Sequence, residues 1–568
     1  MSRLLSVAAL LLAVSASLCL DSSPSDDRDR LTVGVQPDGR IVVPTNQILQ
    51  PAGRQVAFPG RPVALAVLDG GKTLVVKSMR ELLFINVADG RIKETLPTPG
   101  RGKDRAGFSV VGMAVHDGQV YATTADKNVF VARRGSDGHY QWDEPFTLPA
   151  IPIVPADTEK SNKPHPAGLT ILDGKLLVTA TRANAVHVFD LATRELEQSI
   201  PVGVAPYSVT TVRADKAYVT NWGGDHPQPG EPQRPSSGTP VHVDARTGIA
   251  DRGSVSVLEK SEGEHRGESP TWRVAKSIQV GLHPSGMAAS RGGRFLYVAN
   301  ASSDTVSVID TATDKILETI DCRPEGRLPF GSGSNALALS PDSGTLYVAN
   351  GTNNCVAVVR LGRLAHSTGE GPERSSVAGL IPTGWYPGAV SISADGKRLA
   401  VANVKGHGSL SQPRDKEKGG TSHDYLGTVS LIDVPNANEL ARLTERVNAS
   451  NRLAYSLAGL EKPRPEVKPV VVPQRHGEPS VIEHVVYIIK ENRTYDQVFG
   501  DMKEGNGDPK LCVFGEETTP NHHKLAREFV LLDNFYCDGE VPADGHEWSM
   551  GAYATDYVEK VWPLAYRT

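Results

Sequence analysis

The pair Glu491-Asn492 stands directly after a mostly apolar run, Val481-Ile-Glu-His-Val-Val-Tyr-Ile-Ile-Lys490, and before Arg-Thr-Tyr-Asp-Gln-Val-Phe-Gly500. An apolar strand that stops at a carboxylate and a carboxamide sets oxygen ligands at the carboxyl edge of a sheet. Ligand and catalytic sites in open α/β sheets gather at that edge. Chemistry at residues 491–492 therefore demands a sheet behind it.

The surrounding sequence carries signals for one. Residues 482–489 read as a strand, 496–499 as a turn, 521–529 as a helix capped by Asn521, and 530–536 as a second strand. A further helix is expected over 549–562, with Met550, Tyr553, Tyr557 and Val561 on one face and Pro563 ending it. Strand, helix, strand, helix is the opening of an α/β domain.

Everything before residue 470 is organised differently. One unit recurs between residues 60 and 435, most plainly as Arg294-Phe-Leu-Tyr-Val-Ala-Asn300, Thr305-Val-Ser-Val-Ile-Asp310 and Lys315-Ile-Leu-Glu-Thr-Ile320. The frame returns as Tyr218-Val-Thr-Asn221 with Ser254-Val-Ser-Val-Leu258, and as Tyr347-Val-Ala-Asn350 with Val356-Ala-Val-Val359. It returns again as Ala400-Val-Ala-Asn403 with Thr428-Val-Ser-Leu-Ile-Asp433, with weaker copies near residues 74, 121 and 177. Four short strands per unit at about forty to fifty residues mark a β-propeller. The strand count and period favour it over an open two-sheet sandwich. Seven units are present over 31–435, and residues 31–58 hold a strand-turn-strand (31–35 and 40–43) suited to completing the last blade. These repeats resemble the YVTN-type β-propeller family, whose signature stands here as Tyr297-Val-Ala-Asn300 followed by Val306-Ser-Val-Ile-Asp310.

Residues 436–480 join the two regions. Leu440, Leu443 and Val447 share one helical face, and a Pro-rich extended linker follows. Two insertions, 222–252 and 406–425, have the length of functional or irregular loops. His165, His226, His283, His407 and His423 lie in or near loops of this kind, but their spacing does not converge on a metal and they read as surface histidines.

The 568 residues, 39% hydrophobic with 55 Gly and 40 Pro, suffice for two or three turn-rich domains. A net charge of −5 lacks the basic excess that phosphate contacts require, which sets nucleic-acid binding aside. Arg3, the apolar run 4–14 and the small residues Val14-Ser15-Ala16 form a secretory signal over 1–20, so the product is expected to be exported, periplasmic or extracellular. Leu18 is large for a lipid-attachment site at Cys19, and no later segment is apolar enough to be transmembrane. Cys322, Cys355, Cys512 and Cys537 allow two disulfides and match no zinc or haem spacing.

The C-terminal segment 481–568 resembles the start of a phosphoesterase family that includes phospholipase C and acid phosphatase, within the alkaline phosphatase superfamily. The matching blocks are His484 to Gly500, Asp533-Asn-Phe-Tyr-Cys-Asp-Gly-Glu540 and Asp544-Gly-His-Glu-Trp-Ser549. The resemblance implies Glu491 and Asn492 as ligands of a divalent metal ion that polarises a phosphate-ester substrate. It implies a hydroxyl nucleophile at a helix N-terminus, the position of Ser549 in the expected helix, with Asp544, His546 and Glu547 just before it. The family's remaining ligands lie in several hundred further residues, so the reading is a mainly β chain: a seven-bladed β-propeller followed by the truncated start of an alkaline-phosphatase-like α/β domain. Two functions follow, phosphate-ester hydrolysis when that domain is complete, or a non-enzymatic propeller that binds a ligand or protein; a redox propeller is the weakest alternative.

Overall fold

The computed structural model describes residues 30–100, 105–153, 161–261, 270–363, 373–409 and 425–565. The signal-like run 1–20, His423 and most of the insertion 406–425 lie outside them.

Each repeat folds locally for a reason visible in its residues. The second strand of a unit is an apolar, β-branched and aromatic run that ends in Asn, and the third alternates hydroxyl with aliphatic residues. In the unit at Phe295–Asn300 and Thr305–Asp310, the Asn300 amide donates to Thr305 Oγ1 (3.1 Å) and Ser307 Oγ (3.0 Å). Asn221 does the same to Ser254 and Ser256 (3.1 and 2.9 Å), and Asn403 to Thr428 and Ser430 (3.0 and 2.9 Å). In the unit of Asn350 the amide donates instead to the Cys322 carbonyl, and Ser334 Oγ donates to its oxygen, both at 2.7 Å. All four asparagines are fully buried. A glycine lies against three of them, because a Cβ at Gly203, Gly281 or Gly384 would come within 2.6–2.9 Å of the amide carbon of Asn221, Asn300 or Asn403.

The result is mainly β structure with seven four-stranded antiparallel sheets among the described residues. Their first strands are Ala64–Leu68, Phe108–His116, Pro166–Leu172, Pro206–Arg213, Pro284–Ala289, Ser334–Leu339 and Trp385–Ile392. Each first strand touches that of the next sheet, and the seventh touches the first. The apolar clusters follow the same circle. Val75 and Phe84 of the first sheet pack with Val120 and Phe130 of the second, and Val76 and Ile85 pack with Val429 and Leu431 of the seventh. Faces that no single sheet could cover are thus buried between neighbours, a propeller-like arrangement.

The strand that completes the seventh sheet is Arg54–Ala57, paired antiparallel with Thr428–Asp433. The sequence reading placed it at 31–35 and 40–43. Those residues instead form a separate small sheet, Gly34–Val35, Ile41–Val42 and Ile48–Leu49. Val56 is buried against Val429 in the seam, whereas Val35 is 59% exposed, and that burial decides which strand closes the ring.

Helix α1 (Ala437–Ser450) is capped by Asn436 and buries Leu443 and Val447, as the periodicity implied. It lies on the strand Ser376–Pro382, where Gly379 leaves room for Leu440 and the Leu380 N–H donates to Thr444 Oγ1 (2.9 Å). A left-handed residue, Arg452, separates it from α2 (Leu453–Gly459).

Beyond Asp433 the described residues contain no strand. Residues 482–489 and 530–536, both expected as strands, are irregular and exposed, with Val485 at 81%, Val486 at 85% and Val530 at 74%. Such runs are stable as strands only with neighbours on both edges and cover on both faces, and no partner strand lies nearby. Among the described residues beyond 480 the α-helices are α3 (Tyr495–Phe499), α4 (Pro520–Glu528), α5 (Pro542–Gly551) and α6 (Asp556–Ala565). Helix α4 agrees with the expected 521–529, although Thr519, not Asn521, precedes it. The single helix expected over 549–562 is two helices broken at Ala552, which has φ +58°, and Pro563 lies inside α6. All four described cysteines are free.

Asn300→Ala removes two buried hydrogen bonds and strands two hydroxyls, so urea denaturation should register a loss of about 1–3 kcal/mol. Asn300→Asp, which cannot donate, should lose at least as much.

Candidate functional site

The residues singled out from sequence are only partly brought together. Glu491 Oε2 meets His546 Nε2 at 2.9 Å, with both side chains about half exposed, so blocks 55 residues apart in sequence touch. Asn492 sits beside them in the left-handed region (φ +66°). Ser549 does not lie at a helix N-terminus. It occupies the last turn of α5, where its Oγ donates back to the carbonyls of Gly545 (2.8 Å) and His546 (3.2 Å). The start of α5 is instead closed by Asp544, whose carboxylate accepts from the Glu540 and Val541 N–H groups, both at 2.9 Å. Glu547 accepts from the Thr555 N–H (2.6 Å) at the start of α6.

Among the described residues no group of three or more His, Cys, Asp or Glu side chains is placed to hold a metal ion. A hard divalent cation takes about six oxygen ligands. One carboxylate engaged by a histidine, with one neighbouring amide, does not fit that demand.

A much denser constellation lies where α6 crosses the ring. The first strands line its centre, and the side chains that meet α6, Arg61 apart, sit on them or one or two residues beyond the Asn and Gly positions described above. Asp556 accepts from Tyr386 Oη at 2.8 Å, lies 3.1 Å from Lys560 Nζ and faces His283 Nε2 at 3.8 Å. Lys560 donates to Asn335 Oδ1 at 3.2 Å. Lys405 reaches Glu559 at 2.7 Å and Glu540 at 3.2 Å, and Arg61 pairs with the other oxygen of Glu540. Three cations therefore face three carboxylates, all but Glu540 almost wholly removed from solvent. Arg61 also lies over the rings of Tyr425 (3.9 Å) and Trp562 (4.9 Å).

The opposite side of the mouth is aromatic. Tyr207, Trp222 and His283 form a stacked ladder with centroids 4.3 and 4.1 Å apart, and Tyr557 of α6 meets Trp222 edge-on at 5.2 Å. Val561 packs onto Val110, Tyr207 and Trp222. The second, fourth, fifth, sixth and seventh sheets or the turns leading into them contribute, with Arg61 from the segment before the first.

Burial and partners divide the titration of these groups. Burial opposes charge on Glu540, yet Arg61 and Lys405 together hold it below the ordinary carboxylate value. Glu559 has Lys405 alone and faces Glu540 and Asp544, so burial prevails and pushes it up to about 7. Burial opposes charge on Lys405 as well, but its two carboxylates keep it above the usual lysine value. Burial lowers His283 to about 4, leaving it neutral beside Asp556.

Sequence reasoning missed the mouth. Its signal was faint: Lys405 follows the apolar run Leu399-Ala-Val-Ala-Asn-Val404, an unusual place for a charge without a partner.

No family model and no curated protein matches the chain. Among solved structures it is similar to the hydrazine synthase of Kuenenia stuttgartiensis, at 16% identity and TM-score 0.44 over 61% of this chain and 93% of that one. It is also similar to U3-55K, at 13% and 0.44 over 67% and 100%. A third, the WD40 repeats of RRP9, stands at 12% and 0.42 over 67% and 99%. The propeller-like assignment rests on the strand order and sheet contacts of the chain itself. No helix among the described residues is long and apolar enough to cross a membrane.

The raised Glu559 gives α6 a pH dependence. Docked, its carboxyl keeps a proton up to about pH 7; released, it titrates near the ordinary 4.5. Docked Glu559 binds an extra proton between those values and so weakens docking as pH rises from about 4.5 to about 7, while His283, held at about 4 where the ordinary value is 6.5, contributes in the opposite sense below about 6.5. By hydrogen exchange corrected for intrinsic rates, the unaltered chain should lose α6 protection relative to Glu559→Gln as pH rises through that window.

Proposed function

We propose that the chain is an exported binding scaffold: a closed seven-bladed β-propeller whose central mouth holds its own acidic C-terminal helix. The single observation that carries this is the set of three cations and three carboxylates buried between the ring and residues 540–560. Buried ion pairs are weak sources of net stability, because desolvation offsets their attraction, but a mismatched or missing partner is costly. A set matched this closely favours one occupant in one orientation over generic apolar contact. Export rests on the signal-like residues 1–20.

A second reading is favoured by the Glu491–His546 contact, which joins two of the blocks that resemble the phosphoesterase family. In it the chain belongs to a YVTN-type propeller joined to a metal-dependent phosphate-ester hydrolase, with Glu491 and Asn492 at the metal and Ser549 at the phosphorus.

Two measurements separate them. Lys405→Ala leaves Glu559 and Glu540 buried without their ammonium, at a cost of about 3–5 kcal/mol. Hydrogen exchange should then show α6 released while the sheets remain protected; unchanged protection of α6 would sink the scaffold reading. Hydrolysis of p-nitrophenyl phosphate, lost on chelation and on Glu491→Gln, is the outcome that would establish the second reading instead; the scaffold reading expects none.

A further inference from the structure

We propose that the mouth is a recognition seat for acidic, aromatic-bearing helices, and that α6 is a tethered occupant which a helix of the same chemistry from a partner protein displaces. The proposal rests on the docking reading above and names the partner that reading leaves open.

The pattern on α6 is short and portable. Asp556, Glu559 and Lys560 stand at i, i+3 and i+4 and carry the ion pairs, while Tyr557 and Val561, four apart, face the aromatic ladder. Trp562 adds a ring beside Arg61. Apart from Glu540, which lies upstream of α5, what the mouth reads lies within two turns of one helix, which is the form in which helix-in-groove recognition is read.

The occupant is held by a loose connection. Between α2 and α5 the chain makes no strand among the described residues and exposes its apolar side chains, Val472 at 80% and Tyr487 at 68% among them. No strand pairing has to break for α6 to leave. Covalent attachment raises the local concentration of the occupant, so it competes without needing high intrinsic affinity.

The fit of α6 is also incomplete. Trp222 Nε1 is buried and has no hydrogen-bond partner, and His283 Nε2 lacks one too, standing 3.8 Å from Asp556. Each unmet buried polar group costs about 1–3 kcal/mol. A partner helix presenting an acceptor to Trp222 Nε1 recovers what α6 leaves unmet there, which gives displacement a physical basis beyond mass action.

The test uses the full chain and a fluorescein-labelled peptide of residues 553–565, read by fluorescence anisotropy. Glu559→Lys sets like charge against Lys405 and Arg61 and frees the mouth. The variant chain should bind the peptide at least about tenfold more tightly than the unaltered chain, whose own helix competes. A peptide with Lys at both 556 and 559 should bind neither chain. Equal binding by the two chains, or binding of the charge-reversed peptide, would overturn the proposal. Hydrogen exchange on the Glu559→Lys chain separates the two levels. With α6 released and the peptide ignored, the displacement proposal fails while cis docking stands; with α6 still protected, the docking reading fails and this inference with it. Should Glu559→Lys not fold, Asp556→Asn, which removes the partner of Lys560 and Tyr386, carries the same comparison.

Discussion

The hydrogen bond from a buried asparagine amide to hydroxyls of the neighbouring strand sets the inner geometry of this molecule. In a buried position an unpaired amide is costly, so the strand ends at Asn221, Asn300 and Asn403 are confined to the one register in which both hydroxyls are reached. The mouth inherits that confinement. Trp222 is the next residue after Asn221, Lys405 lies two beyond Asn403, and His283 and Tyr386 lie two beyond the glycines that pack on Asn300 and Asn403. A device that aligns strands thereby also aims the side chains that line the centre of the ring.

What those side chains hold is electrically balanced but unevenly shared. Glu540 is served by two cations and Glu559 by one, which is why burial raises the second and not the first. Gly388 belongs to the same arrangement. A Cβ there would strike Val404 at 2.6 Å and stand 3.7 Å from the Lys560 side chain, so the seventh sheet stays bare where the helix approaches. Another buried ammonium, Lys77, is solvated only by neutral oxygens of Ser109, Val111, Gly112 and Thr123, and burial drives its pKa well down. Buried lysines of the ring are thus met in different ways, since Lys216, away from the mouth, pairs with Asp314 at 2.8 Å and Glu259 at 3.3 Å.

The sheets were legible because a repeat writes the same local pattern many times, and errors in one copy are corrected by the others. The closing strand was not, since Arg54-Gln-Val-Ala57 carries no repeat signature and its place is fixed by burial of Val56 across the seam. Residues 482–489 and 530–536 were read correctly as β-prone and wrongly as strands. Propensity is a property of the segment, whereas a ladder is a property of its neighbours. Ser549 was misplaced for a related reason: periodicity located a helix but not the left-handed break at Ala552, which moved the helix start upstream. The mouth was illegible because its partners, from Arg61 to Lys560, are scattered over nearly the whole chain and no local window contains an interacting pair beyond Asp556 and Lys560.

The pairing of Arg54–Ala57 with Thr428–Asp433 bears on the order of events during synthesis. Ala57 emerges early, and its partner Thr428 only after most of the chain. At the usual elongation rates the first strand waits roughly 20–70 s with its edges unmet. Throughout that interval the growing ring is an open arc with a bare sheet face at each end, and the waiting strand keeps unpaired edges to which foreign strands can add. Arg54 and Gln55, polar residues at the head of the waiting strand, make it a poor template for such additions until its own partner arrives.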